Sequence, residues 1–131
     1  MSRALRVGLS TCPNDTFLFH ALLSGEVRAP LELEFVLADV EELNERMLRG
    51  ELELSKVSAH ALLALAERTW VLHCGAALGF GVGPLLLAAP GRACELPLAH
   101  AAHVLTPGRW TTAALLLELL ELAPFARLEH T

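Results

Sequence analysis

The feature that most constrains this chain is a transition from strand to helix that occurs three times. Leu5–Leu9 is a short apolar run, followed by the polar stretch Ser10–Thr16 and an apolar helical pattern that Gly25 closes. The same order of features recurs over 52–68 and over 103–112. Each transition leaves unpaired backbone N–H groups at a helix start, where small polar ligands bind. Three of them predict an α/β domain with one edge lined by strand ends and helix N-termini.

Alternating and helical patterns predict the remaining elements. Leu31–Leu37 alternates apolar and acidic residues, as a strand with one buried face does. Asp39 followed by Glu42 is an acidic variant of the capping box and predicts a helix that Gly50 ends. Further strands are predicted over 52–54, 70–74, 85–88, 101–106 and 125–128, and further helices over 59–68 and 111–122.

A series of spaced glycines, from Gly75 to Gly83, invites comparison with a nucleotide-binding loop. Such a loop must open a helix, whereas Pro84 leads here into the apolar run 85–88. We therefore expect these glycines to let the backbone approach another segment or a ligand closely. No cofactor is predicted.

The composition restricts the partners of this chain. Its 131 residues suit one domain, and 53% of them are hydrophobic, which excludes a disordered polar chain. The formal net charge is -5 and no run of Lys or Arg occurs, so we expect no nucleic-acid partner. The most apolar run, 113–122, contains Glu118 and is too short to cross a membrane, so no membrane partner is expected. The N-terminus lacks the pattern of a secretion signal, which predicts a cytoplasmic protein.

The cysteine and histidine residues do not form a recognisable site. Cys12, Cys74 and Cys94 are odd in number and irregularly spaced, which predicts reduced thiols. Cys12 lies beside a helix start, where a thiol can become nucleophilic, but no His has a spacing that identifies it as a partner. His100 and His103 lack a third ligand nearby in the sequence, so we expect no metal site.

Polar side chains at the predicted helix starts are the candidate binding residues. Lys56 comes at the end of a strand and Ser58 is positioned to cap the next helix. A positive charge, a hydroxyl group and unpaired N–H groups at one place suit a carboxylate or a phosphate, and the alternative is a solvent-facing lysine on a loop. Four further residues are interpreted either as helix caps or as pocket lining; they are Asn14, Asp15, Thr16 and Asp39.

Six segments of the chain together resemble those of one enzyme family. They are Ser10–Phe17, Asp39–Asn44, Lys56–Ser58, Gly75–Gly79, Gly83–Leu85 and Pro107–Thr112. The combination is similar to the 1,4-dihydroxy-6-naphthoate synthase family of the futalosine route to menaquinone, and it extends from Leu5 to about Thr112. The resemblance implies a carbon–carbon lyase that acts on cyclic dehypoxanthine futalosine.

The same resemblance implies a fold and a division of the chain. Members of the family have a type II periplasmic-binding-protein-like fold, a three-layer α/β sandwich in which the substrate lies between two lobes. On this basis 1–89 is the leading part of the first lobe, 90–100 a crossover and 101–131 the start of the second lobe. Family chains are about twice as long as this one, so we expect a truncated form of the fold.

The resemblance also implies roles for particular residues. Lys56, Val57 and Ser58 match the substrate-binding stretch of the first lobe, and Thr111 and Thr112 match its partner in the second. We expect Lys56 and Ser58 to hold polar oxygens of a small acidic substrate, and the two threonines to donate hydrogen bonds across the cleft. The family's general base is a His downstream of the two threonines, and no residue here matches it. We therefore assign no catalytic residue and expect the isolated chain to be inactive.

Two alternatives to this lyase remain open. Chorismate dehydratase, a second enzyme of the pathway, has the same fold, but the Cys12–Thr16 motif favours the synthase. A non-catalytic lobe that binds a small acid is the other alternative, since transport receptors share the fold. The expected lack of a secretion signal counts against such a receptor.

Overall fold

The computed structural model of the chain describes residues 3–91, 103–120 and 127–130. Within these ranges five strands alternate with four helices. The elements are β1 (Leu5–Ser10), α1 (Pro13–Leu23), β2 (Leu33–Ala38), α2 (Val40–Leu48), β3 (Leu54–Ser55), α3 (Ala59–Leu65), β4 (His103–Thr106), α4 (Thr112–Leu119) and β5 (Arg127–His130). Every strand pair is parallel, which confirms the predicted α/β class.

The first sheet has β1 at its centre, in the order β2-β1-β3. Leu5 lies opposite Leu33, and Val7 lies opposite Leu54. Because all three strands run the same way, their carboxyl ends reach the same edge of the sheet. β4 and β5 form a separate two-stranded sheet.

Residues of β1 are closely packed on both faces of the first sheet. Val7 and Leu9 are 1% exposed, and Leu43 of α2 is fully buried. Gly8 has no side chain, and a Cβ there would lie 2.5 Å from the Ser55 Oγ and 2.8 Å from the side chains of Leu43 and Leu52. The absence of a side chain at Gly8 is therefore what lets α2 and β3 approach the central strand.

An ion pair ties β1 to the segment that leads into β3. Glu53 accepts hydrogen bonds from the Arg6 backbone N–H at 2.9 Å and from the Arg6 guanidinium at 3.1 and 3.2 Å. Arg3 lies 3.3 Å from the same carboxylate. These contacts lower the pKa of Glu53 from 4.5 to about 2, and the side-chain hydrogen bond from Arg6 contributes most to the shift.

Local signals for helix ends are confirmed at several positions. The Asp39 side chain accepts a hydrogen bond from the Glu41 N–H at 2.9 Å and caps α2, which Gly50 follows with φ +70°. Thr111 caps α4 by accepting from the Ala114 N–H at 3.3 Å. Gly25 adopts φ +77° after α1, as expected of a helix stop.

The cap of α1 differs from the prediction. The helix begins at Pro13, and its N-cap is Cys12, which makes no side-chain capping bond. Asn14, Asp15 and Thr16 lie inside the first turn, so none of them is the N-cap. Proline at the first helical position explains this start, because its fixed φ suits a helix and its missing N–H costs nothing there.

Two predicted strands are wrong. Residues 70–74 and 85–88 are not strands, and most of their apolar side chains are exposed, with Trp70 at 96%, Leu85 at 82% and Leu87 at 81%. An apolar run indicates a tendency to be buried, but a strand also needs a neighbouring strand to pair with, and neither run has one in the described part of the chain. α4 also ends earlier than predicted, and Leu119 and Leu120 at its end are exposed.

Several predictions fall on residues outside the described ranges. These are Cys94, His100, most of the crossover at 90–100 and the residues 121–126. The division of the chain into 1–89, 90–100 and 101–131 therefore stays a prediction. No helix in the described part is long and apolar enough to span a membrane.

Replacement of Gly8 tests the close packing around β1. We expect Gly8→Ala to lower the free energy of unfolding by about 1–3 kcal/mol, because the added methyl group overlaps Leu43 and Leu52. Gly83→Ala is the matched control, since a Cβ at Gly83 meets no atom within 4 Å and should change the free energy by less than about 1 kcal/mol. Urea denaturation measures both, and equal effects of the two changes would contradict this packing.

The Arg6–Glu53 pair predicts a defined pH dependence. Because folding lowers the pKa of Glu53 from 4.5 to about 2, its stabilisation is complete above 4.5 and is lost as the pH falls through about 2. We expect Glu53→Gln to lower the Tm near pH 7, and the difference from wild type to shrink between pH 4.5 and about 2. Glu67→Gln removes the same charge from an exposed turn and serves as the control. A pH-independent difference in Tm for Glu53→Gln would rule out this linkage.

Candidate functional site

A cavity of about 400 Å³ lies at the edge where the strands of the first sheet end. Three strand-to-helix junctions contribute to it, together with Ala77. The lining residues are Ser10 at the end of β1, Thr11, Cys12, Asn14 and Asp15 after it, Asp39 and Val40 after β2, and Lys56 and Val57 after β3. Its volume is in the range of small-molecule sites, and its position is where parallel sheets bind ligands.

Asp15 is the buried charge of this cavity. It is 3% exposed, although it lies in the first turn of α1. One carboxylate oxygen accepts a hydrogen bond from the Ser10 N–H at 3.1 Å, and the other lies 3.6 Å from the Lys56 Nζ. Asp15 therefore joins the end of β1 to the residue that follows β3.

Lys56 is the sole lysine in the sequence. Its Nζ donates a hydrogen bond to the Gly75 carbonyl oxygen at 2.6 Å, and its side chain is 23% exposed. The ammonium group thus lies between Asp15 and the glycine-containing segment at the cavity, and not on a solvent-facing loop. Gly75 adopts φ +78°, and this contact matches the expectation that the spaced glycines bring their backbone close to another segment.

The cavity presents donors and acceptors side by side. Ser10 Oγ donates to the Cys12 sulfur at 2.8 Å and accepts from the Cys12 N–H at 3.3 Å. The charged lining groups are the ammonium of Lys56 and the carboxylates of Asp15 and Asp39. Such a site can bind hydroxyl groups through its carboxylates as well as an anionic or carbonyl oxygen through its ammonium.

The structure separates the predicted site residues into two groups. Asn14, Asp15, Asp39, Lys56 and Val57 line the cavity. Its lining does not include the other four predicted residues, which are Thr16, Ser58, Thr111 and Thr112.

Each residue of the second group lies at the start of a helix. Thr16 donates its hydroxyl to the carbonyl oxygens of Cys12 and Pro13 in the first turn of α1. Ser58 is the N-cap residue of α3, and its N–H donates to the Asn44 Oδ1 at 2.9 Å. The Thr111 hydroxyl donates to the Gly108 carbonyl oxygen at 2.8 Å, next to Thr112, the first residue of α4.

Some residues of the site were not predicted. Ser10, Thr11 and Cys12 belong to the polar stretch that begins at the end of β1, and their nearness in sequence to Asn14 is the signal that could have identified them. Ala77 comes from a segment distant in sequence, and no local pattern indicates that it faces the cavity. Among the described residues no group of three or more His, Cys, Asp or Glu could hold a metal ion.

Comparison with known proteins identifies related chains. Residues 5–127 match the model of a family described as menaquinone biosynthesis. A 1,4-dihydroxy-6-naphthoate synthase from Thermus thermophilus is 50% identical over 117 residues, which cover 88% of this chain and 41% of the relative. The enzyme of the same name from Streptomyces coelicolor is 40% identical over 116 residues, which cover 88% of this chain and 39% of the relative.

A solved structure has the same fold over nearly the whole chain. The crystal structure of protein AF1704 from Archaeoglobus fulgidus matches with a TM-score of 0.83 and 34% sequence identity, over 98% of this chain and 46% of that protein. The chain spans about two fifths of the length of the curated relatives that it matches. These matches confirm the resemblance inferred from the motifs. The chain therefore belongs to the menaquinone-biosynthesis family.

Proposed function

We propose that this chain supplies part of the substrate site of a carbon–carbon lyase that converts cyclic dehypoxanthine futalosine to 1,4-dihydroxy-6-naphthoate. The observation that carries the proposal is the pair formed by the buried Asp15 and the half-buried Lys56 in a cavity at the carboxyl edge of a parallel sheet. The names of the relatives from Thermus thermophilus and Streptomyces coelicolor support the choice of reaction. The substrate would be a small polar molecule that carries acidic and hydroxyl groups.

The proposed contacts follow from the donors that the site presents. Lys56 would donate to a polar oxygen of the substrate, because an ammonium has three N–H donors and the Gly75 carbonyl uses one of them. The Ser58 hydroxyl accepts from the Asn44 Nδ2 at 3.1 Å, a contact that does not use its own O–H donor. Thr112 would offer its N–H at the start of α4, where the helix dipole favours an acidic group.

The proposed site lies between two lobes of a type II periplasmic-binding-protein-like, three-layer fold. In this proposal 1–89 belong to the first lobe, 90–100 to a crossover and 101–131 to the second lobe. The presence of one parallel sheet on each side of 90–100 supports the division. Thr111 and Thr112 would then face the substrate from the second lobe, across a cleft from Lys56 and Val57.

Proton abstraction requires a base, and no described residue occupies the position that matches the base of the family. By resemblance, the family's base is a histidine downstream of the two threonines, and neither His103 nor His130 matches it. This chain covers 41% of the Thermus thermophilus relative, so we propose that catalysis needs the sequence that corresponds to the rest of that protein. The described residues bind and orient the substrate.

A chimeric enzyme tests the proposed reaction. The chimera joins this chain to the portion of the Thermus thermophilus relative beyond the matched region, and product release from cyclic dehypoxanthine futalosine is followed by chromatography. We expect 1,4-dihydroxy-6-naphthoate from the chimera and none from this chain alone. A chimera that unfolds cooperatively yet neither binds nor converts the substrate would refute the proposal. Dehydration of chorismate, included as a control substrate, would instead identify the site as that of the sister enzyme.

Removal of the Lys56 ammonium tests the role of this residue in binding. In the active chimera we expect Lys56→Met to raise KM roughly ten- to a hundredfold, the usual effect of losing a charged hydrogen-bond donor. Arg68→Met is the matched control, because Arg68 is exposed and its guanidinium donates only to the Leu48 carbonyl oxygen among the contacts described. Thermal unfolding of both variants separates binding from stability. An unchanged KM in Lys56→Met would remove Lys56 from the site.

A further inference from the structure

Two residues of α2 connect segments that are far apart in the sequence. Asn44 is fully buried, and its amide exchanges two hydrogen bonds with Ser58, at 2.9 Å to the N–H and 3.1 Å to the Oγ. The Asn44 Nδ2 also donates to the Glu41 carboxylate at 3.2 Å. Both oxygens of Glu41 accept from the Trp110 N–H, at 2.9 and 3.1 Å. A continuous set of hydrogen bonds therefore runs from Ser58 through Asn44 and Glu41 to Trp110.

The polarity of each group determines the orientation of the next one. A carboxylate can only accept hydrogen bonds, so the amino group of Asn44 must point to Glu41. The Asn44 oxygen is then directed to the Ser58 N–H, with which it makes its 2.9 Å contact. If the amide were rotated by half a turn, its amino group would face the Ser58 N–H, donor against donor. Its oxygen would face the Glu41 carboxylate, acceptor against acceptor.

The backbone before Trp110 is shaped to admit the Glu41 side chain. Gly108 is buried with φ +140°, and a Cβ at this position would overlap the carboxylate group of Glu41. Residues other than glycine would therefore both strain the backbone and displace the carboxylate. The hydrogen bonds between Glu41 and the Trp110 N–H depend on this close approach.

Helix α3 also contacts the segment that contains Trp110 and Thr111. The His60 Nδ1 lies 3.3 Å from the Thr111 carbonyl oxygen, and the His60 ring packs on the Trp110 ring with centroids 5.5 Å apart. His60 follows Ser58 by two positions. The start of α4 is thus held by the helices that follow β2 and β3.

We infer that Glu41 and Asn44 are positioning residues, which hold Ser58 and the start of α4 in one fixed arrangement so that both meet the same substrate. This inference rests on the proposed function, in which Ser58 and the residues Thr111 and Thr112 bind substrate. Glu41 and Asn44 do not touch the substrate; they act through the segments that they join.

Swapping the side-chain types at positions 41 and 44 tests whether their hydrogen bonds connect Ser58 to Trp110. The double variant has the same net charge as the wild type. In Glu41→Gln an amide replaces the carboxylate. Its amino group would face the N–H donor of Trp110 or of Asn44, so that a donor meets a donor. In Asn44→Asp a carboxylate faces Glu41, and the two repel each other. The double variant Glu41→Gln/Asn44→Asp restores a donor opposite an acceptor at the Trp110 N–H, between positions 41 and 44, and at the Ser58 N–H. The new amide at position 41 would donate to the new carboxylate at position 44, which in turn accepts from the Ser58 N–H.

Two measurements follow the variants. Amide hydrogen exchange in the 131-residue chain, without any ligand, should accelerate roughly tenfold at Trp110 and at Ser58 in each single variant and return toward the wild-type rate in the double variant. In the active chimera each single variant should raise KM for cyclic dehypoxanthine futalosine roughly tenfold, and the double variant should recover most of the loss. Glu45→Gln, an exposed position of the same helix, is the matched control and should change neither quantity.

The outcomes separate this inference from the proposed reaction. An inactive wild-type chimera contradicts the proposed function, whereas the exchange rates still test the link. Unchanged exchange at Trp110 in Glu41→Gln overturns the link itself. Faster exchange with an unchanged KM overturns the positioning role, because a merely structural contact changes the exchange rates alone. A double variant no better than the single ones overturns the pairing of positions 41 and 44.

Discussion

Parallel pairing of β1 with both of its neighbours is the constraint on which the other features of this chain depend. Since β2, β1 and β3 run in the same direction, the chain must return to the opposite edge between successive strands, and α1 and α2 make these returns. Each helix therefore begins at the edge where the strands end. The cavity forms at this edge, and its polar lining comes from strand ends, the loops that follow them and the first turns of the helices.

Helix α2 combines three roles through the periodicity of its residues. Leu43 is fully buried against the first sheet, and Asp39 and Val40 at the N-terminus line the cavity. Glu41 and Asn44, three positions apart, lie on a shared side of the helix and connect Ser58 to Trp110. Because one helix carries all three, the position of the segment 108–111 is tied to that of the cavity lining.

Local chemistry allowed much of the fold to be predicted, and long-range pairing limited the rest. The alternation in β2, the Asp39 cap and the Gly50 stop depend on residues close in sequence, so they could be predicted. The runs 70–74 and 85–88 were misassigned because pairing of strands is decided by distant neighbours and apolar content is not sufficient. The Lys56–Asp15 and Glu41–Trp110 contacts join residues 41 and 69 positions apart, and no local pattern specifies them. Motif resemblance directed attention to Lys56 and Asp39 but assigned no role to Glu41 or Asn44.

The burial of Asp15 accounts for the way in which Lys56 is presented. A buried carboxylate is costly unless hydrogen bonds and a positive charge compensate it, and Asp15 has the Ser10 N–H, the N-terminal end of α1 and the Lys56 ammonium. The same contacts, with the Gly75 carbonyl, restrict the ammonium to one region of the cavity before any ligand arrives. A ligand oxygen would therefore meet a donor whose side-chain entropy is already reduced, and it would share the ammonium with Asp15. Such sharing favours ligands that also offer a hydroxyl group to the carboxylate over simple anions, which the carboxylate would repel.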